Sequence, residues 1–190
     1  MAVRAIVISG DPVLHSPAAL VENFDDELRT LVRDMFETMD AAPGVGLAAT
    51  QVGVGLRLFT YSFEDDDEVV WRGVAINPEL WITPVPAGHA DEDELDEDEG
   101  CLSFPGERFP LRRAESAILH ALDLEQKPFE IRADGWLARI FQHEFDHLDG
   151  TIYVDRLEHV YAKMAKKVTR KRGWGEPGLS WVPGVDNLEG

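Results

Sequence analysis

The chain has 190 residues, 44% of them hydrophobic, which suits one domain with its own core and is too short for two full-sized ones. No apolar run is long enough to cross a bilayer, and MAVRAIVISGDP lacks the apolar stretch of a secretion signal, so a cytoplasmic protein without membrane association is expected. A net charge of −18 excludes a general nucleic-acid binder and predicts no DNA partner, because counterion release needs clustered Lys and Arg.

Over residues 24–40, Leu28, Leu31, Val32, Met35, Phe36 and Met39 recur at the three-four spacing of an amphipathic helix, with Asn23 or Asp25 as its cap. APGVGLAATQVGVG follows and is too rich in glycine for a helix interior, so it reads as a loop passing into a strand. LRLFTYS (56–62), RGVAINP (72–78), SAILHALDLE (116–125) and KPFEIRA (127–133) have the β-branched and aromatic content of strands.

Between them, residues 91–99 (DEDELDEDE) hold eight acids in nine positions, and self-repulsion predicts a solvated surface loop over 91–98. Leu137, Ile140, Phe141 and Leu148 restore helical spacing over 134–148, between Asp134 as cap and Gly150 as stop. Residues 156–172 carry seven Lys and Arg against the single acid Glu158 and predict a basic helix over 157–172. Residues 173–190 read as an extended tail, with Trp174 and Trp181 docked on the body. The order implies one α+β domain over 1–172, mainly antiparallel β-sheets packed around a central helix, with a C-terminal helix and the tail following.

Chemistry concentrates in HEFDH. His143 and His147 stand four residues apart and project from one helix face close enough to share an ion, with Glu144 placed to take a proton from water. The bland reading of the same residues is two core histidines and a surface glutamate. A third ligand decides between them. Metzincin proteases supply a histidine three residues after the glycine, but Tyr153 stands there, and the glutamate of thermolysin-like enzymes has only Glu158 as a counterpart. Cys101, the sole cysteine, fills the role from EGCLSFPG, where Gly100 permits close backbone approach. Cysteine plus two histidines leaves a fourth position open, as a catalytic site requires. The competing use, a cysteine nucleophile, would need one of those histidines as its base. In GVGLAATQ, glycines let backbone approach a substrate and the Gln51 amide could donate to an oxyanion; alone, such a loop is more often a turn.

In this order, GVGLAATQ (44–51), EGCLS (99–103) and QHEFDHLDG (142–150) resemble the three signature motifs of peptide deformylase, and GDPVLHSPA and the INP strand extend the likeness over most of the first 155 residues. The acidic insertion and GWGEPGLSW resemble deformylases of actinobacterial type. The resemblance implies a hydrolase of protein biosynthesis that removes the N-terminal formyl group from formyl-Met nascent polypeptides and releases formate. It implies one divalent metal ion held by Cys101, His143 and His147, Fe(II) in the cell with Zn, Ni or Co as substitutes. Glu144 would be the general base, and Gln51 with the Leu102 N–H the oxyanion hole. Val45, Gly46 and Gly100 would pair with the extended peptide, Arg108 would contact it, and Val45 and Ile140 would wall the methionine pocket. Arg139 falls where that wall would be apolar.

Two rivals stay open on the residues alone. A zinc endopeptidase of HExxH type would tolerate Cys101→Ala, and a non-catalytic metal-binding or ribosome-associated protein would have no need of Glu144 and Gln51. The basic helix either docks on ribosomal RNA or is simply solvated.

Overall fold

The computed structural model describes residues 2–42, 44–90, 97–186 and 188. In chain order its elements are β1 (Ile6–Val7), α1 (Asp26–Ala41), β2 (Gly46–Ala48), β3 (Leu58–Glu64), β4 (Val70–Ile82), β5 (Asp98–Cys101), β6 (Phe104–Pro110), β7 (Ser116–Leu122), β8 (Pro128–Asp134), α2 (Gly135–Leu148), α3 (His159–Arg172) and β9 (Ser180–Trp181). Helix α1 begins where the Asp25 carboxylate accepts the N–H groups of Glu27 and Leu28, which would otherwise be unpaired.

Five antiparallel strands form the main sheet in the order β2-β3-β4-β7-β8. Both of its faces are covered, and strand alternation sorts the side chains between them. Leu47, Leu58, Val74 and Ile76 pack with Leu28, Leu31, Met35 and Met39 of α1. Their neighbours Ala48, Phe59, Tyr61 and Ala75 pack with Leu137, Ile140, Phe141 and Leu148 of α2. Helix α2 is thus the buried helix of an α+β fold, and its ligand-bearing turns are enclosed by sheet on one side and the β5–β6 hairpin on another.

Several elements depart from expectation. Strand β4 runs well beyond RGVAINP: its register shifts between Ile76 and Glu79, and Asn77, at φ 50°, bonds the backbone of Val21 in both directions at 2.8 and 2.9 Å. Pro78 has no N–H for a ladder, so the shift carries the strand past it.

Strands β5 and β6 were not expected at all, because charge before Cys101 and prolines after it hide their alternation. Of the acidic run, residues 91–96 lie outside the described residues, but Glu97 and Glu99 are buried, 9% and 3% exposed, so the solvated loop does not extend to them. The C-terminal residues turn back over the body, where β9 pairs antiparallel with β1 and Trp181 is buried. Among the described residues, no helix is long and apolar enough to cross a membrane.

Candidate metal centre and substrate cleft

His143 and His147 lie one turn apart on α2 with ring centroids 5.0 Å from each other. Cys101 closes β5 beside them, its Sγ 3.3 Å from His147 Nε2. The ligand-capable atoms of these three buried residues all lie within 4.8 Å of one another, the one such cluster found among the described residues.

Their surroundings suit a cation. His143 Nδ1 is 2.7 Å from Glu99 Oε1, which assigns the Nδ1 proton to that bond and leaves Nε2 facing the cluster. Burial drives His147 well below the ordinary imidazole range, so it stands as a neutral donor. Burial opposes charge on His143 too, yet the Cys101 sulfur and Glu99 outweigh it and raise His143 well above that range. One sulfur and two imidazole nitrogens suit a divalent transition metal or zinc with one position left open.

Glu144, 3% exposed, stands beside this cluster. Its Oε2 is buried without a partner, and burial above all raises its carboxyl to about 7. Room for it depends on Gly46, where a Cβ would lie 2.2 Å from Glu144 Oε1. Gln51, on the single helical turn after β2, accepts the Ala48 N–H on its Oε1 at 2.8 Å; its amide nitrogen then points at Cys101 Sγ, 3.6 Å away.

A cleft of about 610 Å³ opens over these groups. The β2 region lines it with Val45, Gly46 and Gln51, the hairpin with Gly100, Cys101, Leu102 and Arg108, and α2 with Ile140, His143 and Glu144. Every predicted site residue except His147 lines it, and His147 is fully buried.

Arg139 lines the cleft as well, but not as an exposed charge. Its guanidinium donates to Glu99 Oε2 at 2.9 Å and Leu111 O at 2.8 Å and lies 5.4 Å from the Trp136 ring centroid.

Sequence reasoning missed Glu99. Besides His143 and Arg139 it accepts two bonds from Arg113, at 3.0 and 2.6 Å, and Arg113 continues to Asp146 at 2.7 Å, which in turn pairs with Arg156. Burial opposes ionisation of Glu99, but Arg113 and His143 hold it far below the usual carboxylate range. The available signal was position: two residues before Cys101 on a strand, Glu99 shares its face.

The chain is similar to known proteins over most of its length. The family described as polypeptide deformylase matches residues 3–163. A peptide deformylase of Tropheryma whipplei (strain TW08/27) is 51% identical over 94% of this chain and 92% of its own length. Peptide deformylase 2 of Corynebacterium efficiens is 48% identical over 98% and 96%. Among solved structures, a peptide deformylase from Legionella pneumophila superposes with a TM-score of 0.76 at 41% identity, covering 90% of this chain and 96% of that one. A deformylase from Synechococcus elongatus in complex with actinonin gives 0.76 at 36% identity, over 92% and 91%. On sequence, fold and the order of its three motifs, the chain belongs to the peptide deformylase family.

Proposed function

We propose that Cys101, His143 and His147 hold one divalent ion, Fe(II) in the cell, and that Glu144, Gln51 and the Leu102 N–H carry out the reaction of the family: hydrolysis of the formyl group from the N-terminal methionine of nascent polypeptides in the cytoplasm. The observation that carries this is the convergence of the three donors within 4.8 Å beside a buried carboxylate with an unpartnered oxygen. Such an ion supplies Lewis acidity, polarising the formyl carbonyl and easing deprotonation of water.

The chain supplies the rest. Glu144, raised to about 7 by burial, is matched to take a proton from water and pass it to the leaving amine. Water oxygen bonds to the formyl carbon, the C–N bond breaks, and formate and a free methionine amine result. The developing oxyanion receives the Gln51 amide, whose orientation the Ala48 N–H fixes, and the Leu102 N–H. Strand β2 is the edge of the main sheet, so its outer backbone groups are available to an extended peptide, with Gly100 across the cleft and Arg108 at its rim. Val45 and Ile140 offer apolar surface to the methionine side chain.

The HExxH endopeptidase reading falls with the family match and with the place of Cys101 beside His147. Helix α3 exposes Lys163, Lys166, Lys167, Arg170, Lys171 and Arg172, and this surface would bring the enzyme to the ribosome by salt-sensitive attraction to RNA.

The test is formate release from a formyl-Met-peptide by anaerobically purified protein, with metal analysis of the same sample. We expect turnover in proportion to bound iron, abolished by chelation. A metal-loaded sample that releases no formate would overturn the reading.

A further inference from the structure

The peptide group joining Leu102 to Ser103 lies against the metal centre, and both of its ends are engaged. A trans peptide points its N–H and C=O in opposite directions, so fixing one aims the other. The Ser103 N–H donates to Cys101 Sγ at 3.4 Å. On the far side, Leu102 O accepts the indole N–H of Trp181 at 2.9 Å, from 79 residues further along the chain. No regular ladder could do this work, because the β5–β6 register breaks between Gly100 and Cys101.

Trp181 is held for the purpose. It is 3% exposed and paired opposite Ile6 through the β1–β9 ribbon. Where β1 ends, the chain ties the same parts together again: the Ile8 N–H donates to Leu179 O at 2.9 Å and the Ser9 N–H to Ser103 O at 2.8 Å.

We propose that Trp181 is a positioning residue of the metal centre, whose indole N–H orients the Leu102–Ser103 peptide so that the Ser103 N–H is donated to the Cys101 sulfur. An N–H aimed at a thiolate stabilises its charge and tempers its donation to a bound ion. By this route the C-terminal segment supports the metal centre without touching it. The inference rests on Cys101 being a ligand, and the test separates the two.

The probe is Co(II), added to metal-free protein and followed by the thiolate-to-cobalt charge-transfer band and by competition with a chromophoric chelator. Trp181→Phe keeps an aromatic ring, though a smaller one, and removes the donor; it is expected to shift the band and weaken Co(II) binding about tenfold, with Leu179→Ala as the control for lost packing. Leu179→Ala loosens the packing of the same segment but leaves the indole bond, and is expected to lower the melting temperature without moving the band. An unmoved band and affinity in Trp181→Phe would overturn the proposal, as would an equal band shift in Leu179→Ala at matched loss of stability. Cys101→Ser must lose the band; if it does not, the ligand assignment itself fails.

Discussion

The His143 Nδ1–H donates a hydrogen bond to Glu99, and that bond decides which nitrogen faces the cluster. Glu99 can serve this purpose because Arg113 and His143 keep it ionised against the cost of burial, and Arg139 pairs with it as well. Replacing it with glutamine removes one charge from a set that includes two buried arginines. Glu99→Gln is expected to cost about 3–5 kcal/mol of stability, since unpairing a buried ion is expensive. It should also weaken metal binding about 10- to 100-fold by releasing the histidine it orients. Chemical denaturation of the metal-free protein and chelator competition measure the two effects separately, and unchanged metal affinity would remove Glu99 from the centre. The sequence disguises this residue: seven other acids precede it in the run over 91–99, and average charge predicts solvation where two specific arginines and a histidine hold a buried carboxylate.

At the scale of elements, the site exists where β2 passes α2. Strand β2 presents Gly46 to Glu144, and only a missing side chain lets the carboxylate lie there. Gly46→Ala would put a methyl group 2.2 Å from Glu144 Oε1. Overpacking of this kind costs about 1–3 kcal/mol. Displacing the carboxylate should lower kcat about 10²-fold, as misplacement of a reacting group by an ångström does. Steady-state formate release reads this, and a variant with a raised KM but full kcat would show that Gly46 serves only substrate binding. Helices α1 and α2 were legible in advance from their three-four spacing, and strands β3, β7 and β8 from their β-branched and aromatic content. Strands β5 and β6 were not, because prolines, glycine and acids mask a hairpin that is held by partners remote in sequence, such as Glu97 O with the Leu111 N–H and Arg113 with Glu99.

Over the whole molecule, the first strand joins the last, and the region before β1 is fastened to α1. Arg4 donates to Asp34 Oδ2 through Nη2 at 3.0 Å and Nε at 3.3 Å, and the Ala2 N–H reaches Oδ1. Burial opposes ionisation of Asp34, but these bonds outweigh it and hold its carboxyl below the ordinary 3.8. A folded-state value below the unfolded one means stabilisation that is complete above about pH 4 and lost as the pH falls further. Asp34→Asn should therefore be less stable at neutral pH, by up to about 1 kcal/mol because Arg4 is a third exposed, and the deficit should shrink as the pH falls below 4. Denaturation compared across pH checks this; a constant deficit would exclude the linkage. The comparison cancels the general relief of self-repulsion on acidifying a chain of net charge −18.

The sequence by itself pointed to the reaction class, because HEFDH, EGCLS and GVGLAATQ are short contiguous strings that together carry the resemblance to the family and the proposed ligands, base and oxyanion donor. It also determined the helices and most strands of the main sheet, where periodicity survives. Only the tertiary structure decided which charges are buried and which distant residues meet beside the centre. Glu99 meets Arg113, Arg139 and His143, and Trp181 meets Leu102, across sequence separations that no local pattern encodes. Ion pairs and hydrogen bonds of that kind depend on where folded elements meet, and the residues making them look alike whether they end in solvent or in the core.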